Sequence, residues 1–173
     1  MTESTRSILR TRAEVLARKV PDEGRQAKDV LSITEFLLSR ERYAVEFRFI
    51  REILPLKNLT PLPCTPAFVL GIVNLRGQIL SVIDLKRFFG LPGGGITELN
   101  RMIVLKSGDM EFGILSDEIL GIRAVPRCDI RPLSFATAIP AALIVGMTEA
   151  GCVILDGEKV LSNPGIRVEE EVP

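Results

Sequence analysis

The sequence predicts a mainly β fold made of short strands arranged as in small barrels, and three observations support this. Of the 173 residues 46% are hydrophobic, but only eight Phe and one Tyr are present and Trp is absent. Branched aliphatic side chains must therefore fill the interior, and these favour strands. The apolar segments are short and separated by turn residues. The sequence also repeats itself once, which indicates two related halves.

The first 30 residues predict a helix followed by a linker. Apolar residues from Leu9 to Val20 recur at helical spacing within "STRSILRTRAEVLARKV", residues 4–20. The polar segment "PDEGRQAKD" that follows contains Pro and Gly and is typical of a linker. We therefore place a helix and linker in residues 1–30 and the main domain in residues 31–173.

Beyond residue 30 the period changes from that of a helix to that of a strand. In "YAVEFRF" the residues from Tyr43 to Phe49 alternate between apolar and polar or small side chains, which predicts a half-buried strand. Similar short segments predict further strands at 31–39, 52–56, 68–74, 78–84, 101–107, 110–117, 119–125, 144–149 and 151–156.

The internal repeat divides the main domain. "YAVEFRFIREILP" from Tyr43 resembles "FGILSDEILGIRAVP" from Phe112, and "SVIDLKRFFGLP" resembles "VILDGEKVLSNP". The glycine-rich segment "LPGGGITELN" separates the two copies. We therefore predict two barrels of like topology, one formed by residues 31–95 and the other by residues 96–165, with the termini crossing between them.

Two aspartates occupy matching places in the repeat. Asp84 and Asp156 each follow a predicted strand and precede a short helical segment. A carboxylate there can accept hydrogen bonds from the free N–H groups of a helix start. This structural role explains their spacing better than a catalytic one.

Composition excludes or disfavours several classes of function. The sequence contains no His, which removes the commonest general base and metal ligand. Cys64, Cys128 and Cys152 are far apart and form no zinc or disulfide pattern, so we expect no metal and no cofactor. The net charge of zero disfavours nucleic acid as a partner. The most apolar window, residues 135–147, is shorter than the ~20 residues of a membrane span, so we expect a soluble protein without membrane insertion.

The segment "TPAFVLGIVNLRGQILSVIDLKRFFGL", residues 65–91, resembles the signature of the CheW family of chemotaxis coupling proteins. The resemblance extends over about residues 31–165. It implies two five-stranded SH3-like β-barrel subdomains around a shared apolar core. It further implies a non-enzymatic adaptor that links the cytoplasmic tip of methyl-accepting chemoreceptors to the regulatory domain of a CheA-type histidine kinase. Such an adaptor is expected in the cytoplasm, recruited to receptor arrays at the inner membrane.

The resemblance also implies roles for individual residues. The positions that match kinase contacts in the family are Ile50, Glu52 and Gly71. The positions that match receptor binding or coupling are Arg76, Ile79, Ile103, Gly113, Ile119 and Ile122. Among the isoleucines near the expected seam, we expect Ile50 and Ile79 to behave partly as interface residues, and Ile53 and Ile122 as core.

Arg76 has two interpretations. The residues alone favour a guanidinium on a hairpin rim, paired with a local carboxylate such as Glu52 or Glu149. The family motif favours a planar donor group that is held out toward a partner. In either case Asn74 is expected to shape the turn through side-chain hydrogen bonds, and Gly77 to supply backbone freedom.

Two other classes of protein remain as alternatives. A tandem small-barrel module could bind nucleic acid or a small ligand, although such a surface usually interleaves basic and aromatic residues. An enzyme could use carboxylates, and its candidate residues are Asp84, Asp117, Glu118 and Asp156. Asp117 and Glu118 fall at the end of a predicted strand and are also typical of a solvated turn.

Overall fold

The computed structural model describes residues 29–166. The helix predicted at 4–20 lies outside these residues. Within the described part, ten strands and two short α-helices follow one another, with three single 3-10 turns between them. The strands are β1 (Val30–Leu38), β2 (Glu41–Glu46), β3 (Ile50–Pro55), β4 (Val69–Leu75), β5 (Gln78–Ile83), β6 (Arg101–Ser107), β7 (Met110–Ser116), β8 (Glu118–Pro126), β9 (Ile144–Met147) and β10 (Val153–Leu155). The helices are α1 (Leu85–Phe89) and α2 (Gly157–Leu161), and the 3-10 turns are Phe47–Phe49, Arg127–Asp129 and Ala141–Leu143.

The strands form two five-stranded sheets with the same topology, which confirms the predicted mainly β fold. The first sheet has the order β8-β1-β2-β10-β9, and the second has the order β3-β6-β7-β5-β4. In each sheet one hairpin joins another through a parallel pair, β10 with β2 in the first and β5 with β7 in the second. The two sheets are therefore two copies of one arrangement, as the sequence repeat predicts.

A single bridge closes each sheet. The backbones of Thr60 and Ile72 exchange two hydrogen bonds of 2.9 Å, which tie the segment after β3 to β4. Arg131 and Met147 do the same after β8, at 2.9 and 2.8 Å. We call the closed first sheet the first barrel and the closed second sheet the second barrel.

The two barrels do not coincide with residues 31–95 and 96–165, so that assignment of the subdomains is wrong. The first barrel combines β1 and β2 of the first repeat with β8, β9 and β10 of the second. The second barrel combines the remaining strands in the reciprocal way. The reason is that the chain passes from the first sheet to the second after β2, forms β3 to β7 there, and returns to the first sheet after β7. The 3-10 turn Phe47–Phe49 lies at the first of these crossings, so the strand predicted to continue to Phe49 ends at Glu46.

The two aspartates of the repeat occupy the predicted positions. The Asp84 side chain accepts a 2.9 Å hydrogen bond from the backbone N–H of Lys86 at the start of α1. The Asp156 side chain accepts a 3.1 Å hydrogen bond from the N–H of Lys159 at the start of α2. Their roles as helix N-caps at equivalent strand ends are thus confirmed.

Three apolar clusters lie in the described residues, one inside each barrel and a larger one that both barrels share. The shared cluster takes side chains from both sheets, among them Phe36, Leu38, Tyr43, Val45, Ile103, Leu105, Phe112 and Ile114. Strands such as β6 are buried on both faces, because Met102 and Val104 point into the second barrel while Ile103 and Leu105 point into the shared cluster. The expected shared apolar core is confirmed.

Across residues 29–166 no helix has the length and apolar character needed to cross a membrane. In the same part of the chain, no three Cys, Asp or Glu side chains are grouped closely enough to hold a metal ion.

Candidate functional site

Arg76 lies in the tight turn between β4 and β5. The paired residues Leu75 and Gln78 enclose Arg76 and Gly77, whose φ angles are 52° and 89°. Two consecutive positive φ angles define the type I′ hairpin turn, which usually requires Gly or Asn. The Asn74 Oδ1 atom accepts a 2.8 Å hydrogen bond from the N–H of Gly77. The roles predicted for Asn74 and Gly77 are therefore confirmed.

The Arg76 side chain extends from this turn into solvent and meets one carboxylate. It is 72% exposed, and its Nη2 atom lies 3.1 Å from Oε2 of Glu52, whose side chain is only 16% exposed. This is the local ion pair that the residues alone predict, with Glu52 as the partner. Glu149, the other candidate, pairs with Arg131 at 2.8 Å.

A β-bulge brings Glu52 and its neighbour Arg51 to the same place. Ile50 pairs with Leu105 on β6, but Glu52 already pairs with Val104, so Arg51 is the extra residue in the ladder. A bulge of this kind redirects side chains that regular alternation would send to opposite faces. Arg51 accordingly lies close to the Glu52 carboxylate, with 3.8 Å between its Nε atom and Oε1.

Glu111 on β7 receives the charged end of Arg51. An Nη1 hydrogen bond joins Arg51 to Glu111, and the Nε2 atom of Gln78 donates to the same carboxylate at 3.0 Å. Burial opposes ionisation of Glu111. The hydrogen bonds from Arg51 and Gln78 and the nearby charges of Arg51 and Lys106 outweigh it, so the pKa of Glu111 lies below its ordinary value.

Two of the predicted receptor-binding isoleucines are on the surface. Ile79 is 59% exposed and lies across the β4–β5 hairpin from Asn74, close in the chain to Arg76. Ile122 on β8 is 60% exposed, so the prediction that it belongs to the core is wrong. The reason is that β8 is an edge strand on which most side chains face solvent.

Other predicted site residues lie inside the structure. Ile103 is fully buried in the shared cluster. Gly113 is also buried, and a Cβ atom there would lie 2.6 Å from the sulfur of Met102. The Ile103 side chain therefore cannot contact a partner directly, and Gly113 has no side chain to offer one. Gly71 lies against the backbone of Thr60, at the bridge that closes the second barrel.

Two of the remaining predicted positions border a groove of about 650 Å³. Ile119 and Ile53 are half-buried, pack against the shared cluster and line this groove. Ile50 also packs against the shared cluster from β3. Sequence reasoning missed Leu99, which lines the same groove and is 76% exposed, because it falls in a segment interpreted only as a connection.

The candidate catalytic carboxylates have structural partners. Asp84 and Asp156 cap helices, as described above. The Asp117 side chain accepts hydrogen bonds from the N–H of Ser39 at 2.8 Å and from Nδ2 of Asn100 at 3.2 Å, and it pairs with the buried Lys86. Asp117 thereby joins β1, α1 and the segment before β6.

A comparison with known protein families identifies the family to which this chain belongs. Residues 32–164 match the family model described as a CheW-like domain. The chain belongs to the CheW family. It is 32% identical over 139 residues to a chemotaxis protein CheW of Treponema pallidum, an alignment that covers 76% of this chain and 82% of that protein. It is also 34% identical over 109 residues to protein FrzA of Myxococcus xanthus, covering 63% and 68% of the two chains.

A solved CheW structure has the same fold. The crystal structure of the scaffolding protein TtCheW from Thermoanaerobacter tengcongensis superposes with a TM-score of 0.66 at 29% sequence identity. The match covers 73% of this chain and 84% of that one. The family that residues 65–91 indicate is therefore confirmed, together with the fold that it implies.

Proposed function

We propose that this CheW-family chain is a non-enzymatic adaptor that couples chemoreceptors to a CheA-type histidine kinase. The match of residues 32–164 to the CheW-like domain carries the proposal, because it extends over both barrels. The names of the relatives are consistent with an adaptor, since one matched protein is named a chemotaxis protein and another a scaffolding protein. The alternative of a tandem barrel for nucleic acid or a small ligand finds no support among them.

The proposed partners are the regulatory domain of the kinase and the cytoplasmic tip of a methyl-accepting receptor. The adaptor would then work in the cytoplasm, at receptor arrays on the inner membrane. The resemblance assigns Glu52 to the kinase and Arg76 to the receptor, whereas the structure joins them in one ion pair. A partner that binds either residue therefore changes the environment of the other.

The surface around this ion pair suits protein binding. It combines an exposed guanidinium with an exposed isoleucine, Ile79, on one short hairpin. A planar guanidinium can form two parallel hydrogen bonds with a carboxylate or with backbone carbonyls. An apolar side chain beside it adds burial when a partner covers both.

The absence of catalysis is part of the proposal. Of the four candidate carboxylates, Asp84, Asp117 and Asp156 each accept backbone N–H hydrogen bonds that hold the fold. Their positions are explained without a substrate. Glu118 is exposed at the start of β8.

The experiment that tests the proposal is a reconstitution with the kinase and receptor of the same organism. Receptor-containing membranes, the CheA-type kinase and ATP are mixed with or without the purified chain, and kinase autophosphorylation is followed with and without receptor ligand. We expect receptor-dependent kinase control only when the chain is present. Kinase control that is the same without the chain would refute the proposal.

A charge-reversal pair of variants locates the site. Arg76→Glu is expected to abolish receptor-dependent control. Arg131→Glu is the matched control, because Arg131 is also an exposed arginine, at 70%, in an ion pair with a glutamate. Equal loss in both variants would mean that the effect is one of general surface charge.

A further inference from the structure

A layer of polar side chains covers one end of the second barrel. Four of its members lie on the inward faces of four strands, one or two steps beyond the apolar residues of the barrel interior. Glu52 shares a face with Leu54, Gln78 with Leu80, Lys106 with Val104, and Glu111 with Leu115. Arg51 joins them through the bulge. We call these five residues, Arg51, Glu52, Gln78, Lys106 and Glu111, the mouth layer.

The mouth layer contains two carboxylates in places with little access to water. The Glu111 side chain is 6% exposed and that of Glu52 is 16% exposed. Buried carboxylates require partners, since an unpaired charge away from water is strongly unfavourable. The geometry of the mouth layer therefore depends on which cationic side chain pairs with each carboxylate.

The Glu111 carboxylate is contacted by the hydrogen-bond donors and cations on its side of the mouth layer. It accepts hydrogen bonds from Arg51 and Gln78 and lies 3.5 Å from Nζ of Lys106. Gln78 also accepts a 2.8 Å hydrogen bond from Nη1 of Arg51. The Arg51 guanidinium is thus held at Glu111 by two acceptors.

Glu52 has a different environment, because two arginines are within its reach. Its Oε2 atom accepts the hydrogen bond from Arg76. Its Oε1 atom is buried and has no hydrogen-bond partner among the described residues, while Arg51 Nε lies 3.8 Å away. A buried acceptor without a donor is unfavourable, so Oε1 would attract the Arg51 guanidinium if Arg51 were released.

We propose that Glu111 is a positioning residue for the partner-binding surface. By holding Arg51, Glu111 reserves the Glu52 carboxylate for Arg76 and so keeps the exposed Arg76 guanidinium in one orientation. The inference rests on the proposed function insofar as Arg76 contacts a partner. The competition between the two arginines is a property of the chain alone and can be measured without a partner.

The first measurement is a double-mutant cycle between Arg76 and Glu52. Arg76→Gln, Glu52→Gln and the combined variant are compared by urea unfolding, first in the natural chain and then with Glu111→Gln added. We expect the coupling between Arg76 and Glu52 to fall to about half or less when Glu111 is neutral. Glu149→Gln, which removes the carboxylate of another arginine pair, is the matched control and should leave the coupling unchanged.

The second measurement asks whether removing the competitor restores the pair. Arg51→Gln added to Glu111→Gln should return the coupling to its natural value, and Arg51→Gln alone should not lower it. Restoration of the coupling would distinguish a positioning role of Glu111 from general support of the fold. A second substitution in a layer that is only destabilised would not restore the specific pair of Arg76 and Glu52. If Glu111→Gln does not fold, a fall in the coupling in Arg51→Gln alone would still overturn the proposal.

The third measurement compares binding to a receptor fragment in the same variants. We expect Glu111→Gln to weaken binding about five-fold, the factor that corresponds to one exposed ion pair of ~1 kcal/mol, and the double variant to restore it. Coupling that is unchanged in Glu111→Gln, or not restored in the double variant, would overturn the proposal. If the natural chain does not bind the receptor fragment, the proposed function fails, while the double-mutant cycle still decides the role of Glu111.

Discussion

Gly71 offers a direct test of whether a residue expected to touch the kinase has a structural role. Its φ angle is +145°, in a region that residues with a Cβ rarely adopt. A Cβ atom built there would lie 2.2 Å from the carbonyl oxygen of Thr60 and 2.8 Å from its carbonyl carbon. These atoms belong to the bridge that closes the second barrel, so Gly71→Ala should act on folding.

The expected magnitude has two parts. The backbone conformation costs about 1–3 kcal/mol for a residue other than Gly. Relief of the contact with Thr60 requires a backbone shift, which costs about 1–3 kcal/mol more. Gly77→Ala is the matched control, because Gly77 also has a positive φ angle, 89°, but a Cβ atom there would meet no atom within 4 Å. It should lose only the conformational part, about 1–2 kcal/mol.

Urea unfolding of the two variants measures the difference. We expect Gly71→Ala to be less stable than Gly77→Ala by more than about 1 kcal/mol, the contribution of the contact with Thr60. Equal stability of the two variants would refute this reasoning. Kinase binding, measured without urea at a temperature where both variants remain folded, distinguishes a structural role of Gly71 from a contact with the kinase. A folded Gly71→Ala protein that no longer binds would support the kinase contact that the resemblance implies.

Three further predictions concern the surface and the mouth layer. Arg76→Glu should change the free energy of unfolding by at most about 1 kcal/mol, because Arg76 itself is exposed and Arg51 remains beside the Glu52 carboxylate. It should nevertheless abolish receptor-dependent kinase control, and Arg76→Lys should impair it, since an ammonium lacks the planar donor geometry. Ile103→Ala should lower stability by about 2–5 kcal/mol in urea unfolding, whereas Ile79→Ala should change it by about 0.5 kcal/mol and weaken partner binding; equal destabilisation would contradict the assignment. Because the folded pKa of Glu111 is lowered, its charge stabilises the fold fully above the ordinary glutamate value of 4.5, and this contribution fades as the pH falls below it. The stability difference between the natural chain and Glu111→Gln should therefore diminish in acid, and a difference independent of pH would contradict the prediction.

The repeat could be predicted from the sequence, but the exchange of strands between its copies could not. Matching segments such as those that end at Asp84 and Asp156 identify equivalent elements, because equivalent local structures need the same capping residue. They do not identify which copy pairs with which. Two copies of one topology offer nearly the same hydrogen bonds within a half or between halves, and the choice depends on the crossings after β2 and β7.

The exposure of individual site residues also could not be predicted from the sequence. Alternation assigns Ile103 and Ile122 to strands, but it does not show whether one face or both faces of a strand are buried. β6 lies between two apolar clusters and β8 lies at an edge, so Ile103 is enclosed and Ile122 is exposed. The partner of Arg76 was easier to predict, since Glu52 lies in a neighbouring charged segment of the same copy.

The exchange of strands also explains why the candidate site depends on both repeats. Arg51, Glu52 and Arg76 come from the first repeat, whereas Glu111 arrives on β7 of the second. If each repeat formed its own barrel, Arg51 and Arg76 would lie near the Glu52 carboxylate without Glu111 to bind Arg51. Because β7 pairs with β5 in the second barrel, the second repeat supplies the carboxylate that binds Arg51. Under the proposed role of Glu111, the orientation of the Arg76 guanidinium therefore depends on correct assembly of both halves of the domain.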